Sequence, residues 1–405
     1  MFSILILIPI LGFAIYLLYY KKLKPHKVNN IREIYAEGLD MLVSGKRIAA
    51  YKNFKSIINE DSNNIKAYLR LGQILREGGN AVKALKIHKS LLLRKKITVY
   101  EKIELYKNIA MNYYELDNFD KSILEADKIL KIEKDNEWAI HHLISLYKKN
   151  NDWMKATEYL KSYFNATGKR DNHKLALYKI QHARTEIEVN NFEESRDILG
   201  KALNIEDDLA IAYYYLGKTY SKESSLIYDK AIELEKSGLN SLSDKEKYNQ
   251  YVADAKETLS KSIPMWIHYL EINPQQSWFV IPLLKDALFS LDRYSELEDI
   301  FYKLSEKFPD SIEILAALAD YYSNKGNLDK AIDIIEKALK QNKNSILVKL
   351  IKFKLNIQKT SKNISLNDID DIIAFILKDT AYQMINDQSL NSDIKWLFNN
   401  DKNIS

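Results

Sequence analysis

Gly38, Ala50 and Phe54 have counterparts 34 residues further on, at Gly72, Ala84 and His88. That fixed period constrains the fold more than any other feature of the chain. Small residues at set offsets mark places where two helices cross closely. Each period is therefore read as a helix, a turn and a second helix. One such pair cannot bury its apolar face alone, so successive pairs must stack. Only 11 Gly and 6 Pro interrupt 405 residues, which suits an all-α body.

A period of 34 residues with this pattern is that of the tetratricopeptide repeat. In that repeat, position 8 of helix A is small, positions 20 and 27 of helix B are often small, and position 24 is bulky. On this register the first two repeats occupy 31–64 and 65–98. Thr98 and Glu101 fit a capping box that starts the next helix. Repeats three to five follow at 103–136, 137–170 and 176–209, and the sixth opens with Tyr213, Leu216 and Gly217. There the register breaks. Helix B of repeat six is expected at about 256–271, leaving an insertion at 223–255. The insertion is patterned for helix on both sides of the loop at 237–244. It is either an extra helix pair or two lengthened helices. Repeats seven and eight are expected at 278–311 and 312–345. The expected organisation is an anchor (1–20), a linker (21–30), repeats (31–222), the insertion (223–255), further repeats (256–345), capping helices (346–380) and a polar tail (381–405).

Residues Phe2 to Tyr20 carry no charge over nineteen positions. As a helix they span about 28 Å, near the thickness of a bilayer core. Tyr16, Tyr19 and Tyr20 stand at one end, followed by Lys21, Lys22, Lys24 and Lys27. A basic flank stays in the cytoplasm, so the N-terminus is expected outside and the repeats inside. A cleaved signal peptide needs its positive charge before the apolar run, and here it comes after. The fold class is thus an N-terminal transmembrane helix followed by a tetratricopeptide-repeat α-solenoid.

No residue pattern in the chain calls for catalysis. Walker A, G-x-S-x-G and H-E-x-x-H motifs are absent. With no cysteine there is no thiolate ligand, disulfide or cysteine nucleophile, and no metal or cofactor is expected. His141 and His142 are adjacent, so on a helix they diverge by about 100° and cannot share one metal. His88 falls at a core position and reads as a buried, hydrogen-bonded histidine. A net charge of +5 is too mild and too evenly spread to predict a nucleic-acid partner.

Binding is the function class left. Positions 2, 5, 9 and 12 of helix A line the concave face of this repeat. They correspond to Lys66, Arg76, Lys107, Tyr114, Trp138, His141, Lys148, Arg184, Tyr214 and Lys218. This basic and aromatic set suits an acidic, partly apolar peptide. Glu313 and Asp320 hold matching positions in repeat eight, so the groove is expected to change sign there.

The first four repeats also resemble a specific family. The stretches YAEGLDMLVSGKRIAAYKNF, AYLRLGQILREGGNAVKALKIHKSLL and NDWMKATEYLKSYFNATGKRDNHKLALYK are similar to lipopolysaccharide assembly protein B. Leu71, Gly72, Arg76, Gly79, Ala84, Ile87, His88, Leu91 and Leu92 carry the most specific part of the likeness. The resemblance covers residues 1–220 well and the remainder loosely. It implies a single-pass protein of the bacterial inner membrane, with its N-terminus periplasmic and its repeats cytoplasmic. It also implies an adaptor role, in which the lipid A deacetylase of the committed step is presented to a membrane AAA protease. The alternative is a general scaffold that assembles envelope or secretion complexes. Members of the family end in a metal knuckle of two Cys-x-x-Cys pairs. Here Met384, Asp387, Phe398 and Asp401 stand where the ligands would be, and they offer no soft donor.

Overall fold

A computed structural model describes residues 31–239, 241–342 and 345–359, with Asp370 and Ile373. The expected membrane span at 2–20, its linker, most of the expected helix at 366–380 and the tail lie outside the described residues. Among the described residues every regular element is a helix, and none is long and apolar enough to cross a membrane.

The chain forms two compact units. The first runs to Leu146 and includes Asn165–Gly168; the second takes Tyr147–Phe164 and the chain from Lys169 onward. Helices of the first unit are α1 (Ile31–Val43), α2 (Arg47–Glu60), α3 (Ile65–Glu77), α4 (Ala81–Leu91), α5 (Val99–Tyr114) and α6 (Phe119–Ile132). The division falls within α7 (Glu137–Lys149) and α8 (Trp153–Thr167). The second unit continues with α9 (Asn172–Glu188), α10 (Phe192–Leu203), α11 (Ala210–Lys236), α12 (Leu242–Ser260) and α13 (Ser262–Ile272). After a 3-10 turn at Pro274–Phe279 come α14 (Ile281–Ser290), α15 (Glu296–Lys307), α16 (Ile312–Asn324), α17 (Leu328–Gln341) and α18 (Ile346–Lys359).

One backbone device closes the hairpins. Gly45, Gly79, Asp117, Asn151, Asn190, Asp292 and Gly326 all have positive φ, and each lies between a helix A and its helix B. Glycine, asparagine and aspartate are the residues that enter this region most readily. The next N–H then reaches the carbonyl five residues back, as in Asn80 to Leu75 at 2.8 Å and Asn327 to Tyr322 at 2.9 Å. That bond satisfies a helix-end carbonyl. The new helix is often capped at once. Asn118 and Asn327 accept from the N–H three residues on, and Thr98 with Glu101 forms the predicted capping box.

The small-to-large pairing across each hairpin follows the period. Phe54 lies against Gly38, and a Cβ at Gly38 would come within 3.0 Å of its ring. A Cβ at Gly72 would lie 2.2 Å from His88 Nε2, and one at Gly217 would lie 2.2 Å from Trp266 Nε1. Where position 8 is glycine, position 24 is therefore aromatic. Where position 20 is serine instead of alanine, its hydroxyl is used: Ser122 donates to the Ala110 carbonyl at 2.8 Å and Ser195 to Ala183 at 2.9 Å.

The inserted stretch is built from lengthened helices. α11 runs for 27 residues, past the point where other helices A turn. The chain returns along it as α12 and, after a break at Lys261, as α13. Trp266 on α13 meets Gly217, so α13 is the helix B of this repeat. The core of the second unit gathers Trp266, Tyr269, Leu284, Phe301, Leu315 and Leu355, all buried.

Candidate peptide-binding surface

Three helices of the first unit, α3, α4 and α5, build a buried polar core. Arg76 and His88 are buried. Arg76 donates to Asn108 Oδ1 at 3.0 Å and Asn112 Oδ1 at 3.4 Å. His88 Nε2 faces the Leu69 carbonyl at 3.2 Å, and its Nδ1 faces Asn112 Nδ2 at 2.7 Å. A carbonyl only accepts, so Nε2 carries the proton and Nδ1 accepts from the amide. Burial pushes the His88 pKa down to about 4; the Leu69 bond opposes this and Arg76 adds to it. The neutral ring thus ties α3 and α4 to α5. Arg76, placed on the groove by its position in the repeat, is turned inward to this network.

An aromatic shelf forms on α5 to α7. The Trp138 and His142 rings stack with centroids 4.7 Å apart and 16° between planes. Tyr114 lies 5.8 Å from His142 and 5.8 Å from Phe119. Lys107 Nζ stands 5.2 Å from the Trp138 ring centroid. Ser122 Oγ, already donating to Ala110, meets His142 Nε2 at 2.8 Å, so His142 donates through its Nε2–H. Burial lowers its pKa to about 4. Lys107, Tyr114 and Trp138 are thus brought together. His141 is exposed on the same helix, and Lys66 is exposed on α3.

Sequence reasoning set His142 aside with His141 as a failed metal pair. The signal for its role was the i, i+4 spacing from Trp138, which puts both rings on one helix face.

The second unit holds the remaining predicted residues in two places. Arg184 is buried and donates to Gln181 at 2.7 Å, Glu188 at 2.9 Å and Asn151 at 3.3 Å. Lys148 lies 5.8 Å from the Trp153 ring and 5.6 Å from Tyr178; burial and then Lys174 lower its pKa. Tyr214 packs 4.5 Å from Phe279, with Lys218 5.6 Å from the Tyr214 ring.

Asp320, one of the two acids expected to change the sign of the groove, is paired with two lysines. Lys285 Nζ lies 2.7 Å from one Asp320 oxygen and the buried Lys354 Nζ 3.0 Å from the other. Lys354 also reaches Asp370 at 2.6 Å. Burial would raise the Asp320 pKa, but the two ammonium groups outweigh it and hold the carboxyl low. Asp320 is therefore the centre of a neutralised cluster that joins α14, α16 and α18. Position in the repeat could not reveal this, because both lysines come from neighbouring hairpins.

Paired helices joined by positive-φ turns, with small residues facing bulky ones across the pair, are the architecture of tetratricopeptide repeats. Residues 312–345 match the tetratricopeptide repeat family model, which coincides with α16 and α17. Among proteins of known role, the chain is similar to lipopolysaccharide assembly protein B of Escherichia coli K12, at 19% identity over 52% of this chain and 54% of that one. It is similar to the protein of that name from Haemophilus influenzae at 24% identity, covering 44% of this chain and 46% of the relative. The chain thus spans about half the length of the curated relatives it matches. A solved tetratricopeptide repeat protein from Parabacteroides merdae aligns with 81% of this chain and 98% of its own at 15% identity and a TM-score of 0.33.

Proposed function

We propose that this chain is a membrane-anchored adaptor that binds protein partners through its helix A surfaces and regulates lipopolysaccharide synthesis. The observation that carries the reading is the similarity to lipopolysaccharide assembly protein B in two bacteria, over about half of the chain. The family resemblance supplies the finer role. Residues 2–20 hold the protein in the bacterial inner membrane, with the repeats in the cytoplasm. The repeats capture the lipid A deacetylase and bring it to a membrane AAA protease. Confinement beside the protease raises the effective concentration of bound substrate, to the order of mM for short tethers. Tetratricopeptide repeats are typically scaffolds, and this reading assigns the chain no catalytic step.

The partner surface in the first unit is the shelf of Trp138, His142, Tyr114 and Lys107. Rigid rings provide contact area at low entropic cost, and the ammonium group selects an acidic neighbour. Lys148, Tyr214 and Lys218 present similar pairings in the second unit. The half-life of the lipid A deacetylase in cells with and without the protein tests the role: depletion should lengthen it. Charge reversal at Lys107 combined with Trp138→Ala should abolish co-purification of the deacetylase.

A second reading, a scaffold for envelope or secretion complexes with no link to proteolysis, is favoured by one observation. The chain has no cysteine and so cannot form the family's metal knuckle. An unchanged deacetylase half-life would support it.

A further inference from the structure

Among the described residues, one strongly one-sided stretch of charge lies on α4 and the connection into α5. From Gly78 to Ile103 the sequence holds seven Lys or Arg and one acid, Glu101. Glu101 is occupied by its capping box, accepting from the Thr98 N–H at 3.0 Å and hydroxyl at 2.9 Å. α4 buries Ala81, Ala84, His88 and Leu91. Its opposite face therefore carries Lys83, Lys86 and Lys89, all exposed. Lys95, Lys96 and Lys102 extend the charge through the connection. Among the described residues none of these six lysines has an ion-pair partner. Lys107 and Lys128 elsewhere in the first unit, by contrast, sit on the carboxylates of Glu104 and Glu125. Lys89 even shares the Tyr113 ring with a second cation, Lys121, at 5.3 and 5.8 Å. Arg94 stacks on Tyr68 at 4.7 Å and keeps a shielded nitrogen without an acceptor among the described residues.

Large apolar side chains are interleaved with this charge. Leu93 is 86% exposed, Val99 66% and Tyr100 67%, with Val82 also exposed on the α4 face. They take no part in the core beneath α4 and α5, which is built from Ile65, Leu69, Leu91, Leu105, Ile109 and Tyr113.

The geometry points to a peripheral docking face for an anionic lipid bilayer, with Leu93, Val99 and Tyr100 entering the interface and the lysines meeting headgroup phosphates. Basic residues surrounding exposed apolar and aromatic ones form the pattern that binds membrane interfaces. Of the three exposed side chains, only Tyr100 could stack a base, whereas Leu93 and Val99 are aliphatic and suit an acyl interface. The position in the chain agrees, a point that rests on the proposed anchor at 2–20. The ten residues of the linker reach at most about 36 Å, so the first unit stays near the headgroups. Docking would hold the first repeats at the leaflet in a set orientation and leave the shelf on α5 to α7 to meet partners.

The native chain has no cysteine, so a single Leu93→Cys can carry an environment-sensitive dye in the full-length protein. The labelled chain is added to vesicles of phosphatidylcholine alone and of phosphatidylcholine mixed with phosphatidylglycerol. A blue shift is expected only with phosphatidylglycerol, and it should fade in high salt. Val99→Cys should behave alike, and Tyr302→Cys, exposed in the second unit, should not respond. Each basic residue near an anionic surface contributes about fivefold in partitioning. Combined Lys83→Gln, Lys86→Gln and Lys89→Gln should therefore weaken the response by about a hundredfold. No shift, an equal shift in both lipids, or a shift produced by duplex RNA and not by vesicles would overturn the proposal. Vesicle flotation reports the anchor separately. A chain that floats with phosphatidylcholine alone but shows no dye shift in either lipid keeps its anchor and loses this face.

Discussion

Acidification should loosen the second and third repeats through one buried ring. His88 is fully buried and is held neutral, with a pKa of about 4 against 6.5 for an unperturbed histidine. The folded state resists the proton and the unfolded state accepts it. The stability contributed by the neutral ring is complete above about pH 6.5 and is lost as pH falls toward 4. Linkage across that gap gives a loss of roughly 2 kcal/mol between pH 7 and pH 5. His142 acts in the same direction, so a variant must isolate His88. His88→Phe is suited to this, because Phe54 already packs against a glycine at the matching position of the first repeat. The phenyl ring leaves the Asn112 amide without its partner, at a cost of about 1–3 kcal/mol at pH 7. The assay is hydrogen exchange of the α3–α5 amides, corrected for intrinsic pH dependence. The wild-type chain should lose roughly 2 kcal/mol more protection than His88→Phe between pH 7 and pH 5. Equal losses would refute the assignment of that pH dependence to His88.

Two further substitutions test the packing. Gly72→Ala puts a methyl 2.2 Å from His88 Nε2 and must displace the ring from Leu69 and Asn112, costing about 3 kcal/mol in urea unfolding. Gly200→Ala is its control, since a Cβ there meets nothing within 4 Å, and it should stabilise α10 by about 0.5–1 kcal/mol. Asp320→Ala strips the buried Lys354 of one of its two carboxylates and should cost about 3 kcal/mol. Adding Lys354→Met to it should restore most of the loss; a double variant no better than the single one would count against this account of the cluster.

The repeat architecture was legible because it depends on spacing. Gly38, Ala50 and Phe54 return at 34 residues as Gly72, Ala84 and His88, and that alone places crossing points and helix order. Local signals were equally readable, as in the Thr98–Glu101 capping box, which needs only neighbours three residues apart. The buried state of His88 followed from its position opposite Gly72. Its tautomer and lowered pKa did not, because they depend on Leu69 and Asn112, which belong to other helices. The same limit applies to the groove. Lys107, Tyr114 and Trp138 lie together around the His142 ring, whereas Arg76 and Arg184 occupy groove positions in the repeat but turn inward to amides and a carboxylate. Asp320 reads as an acid on a helix face until Lys285 and Lys354 arrive from the hairpins on either side. Period and propensity act along the chain and can be read along it. The destination of a long polar side chain is decided by which partner lies within its reach, and only the packed helices determine that.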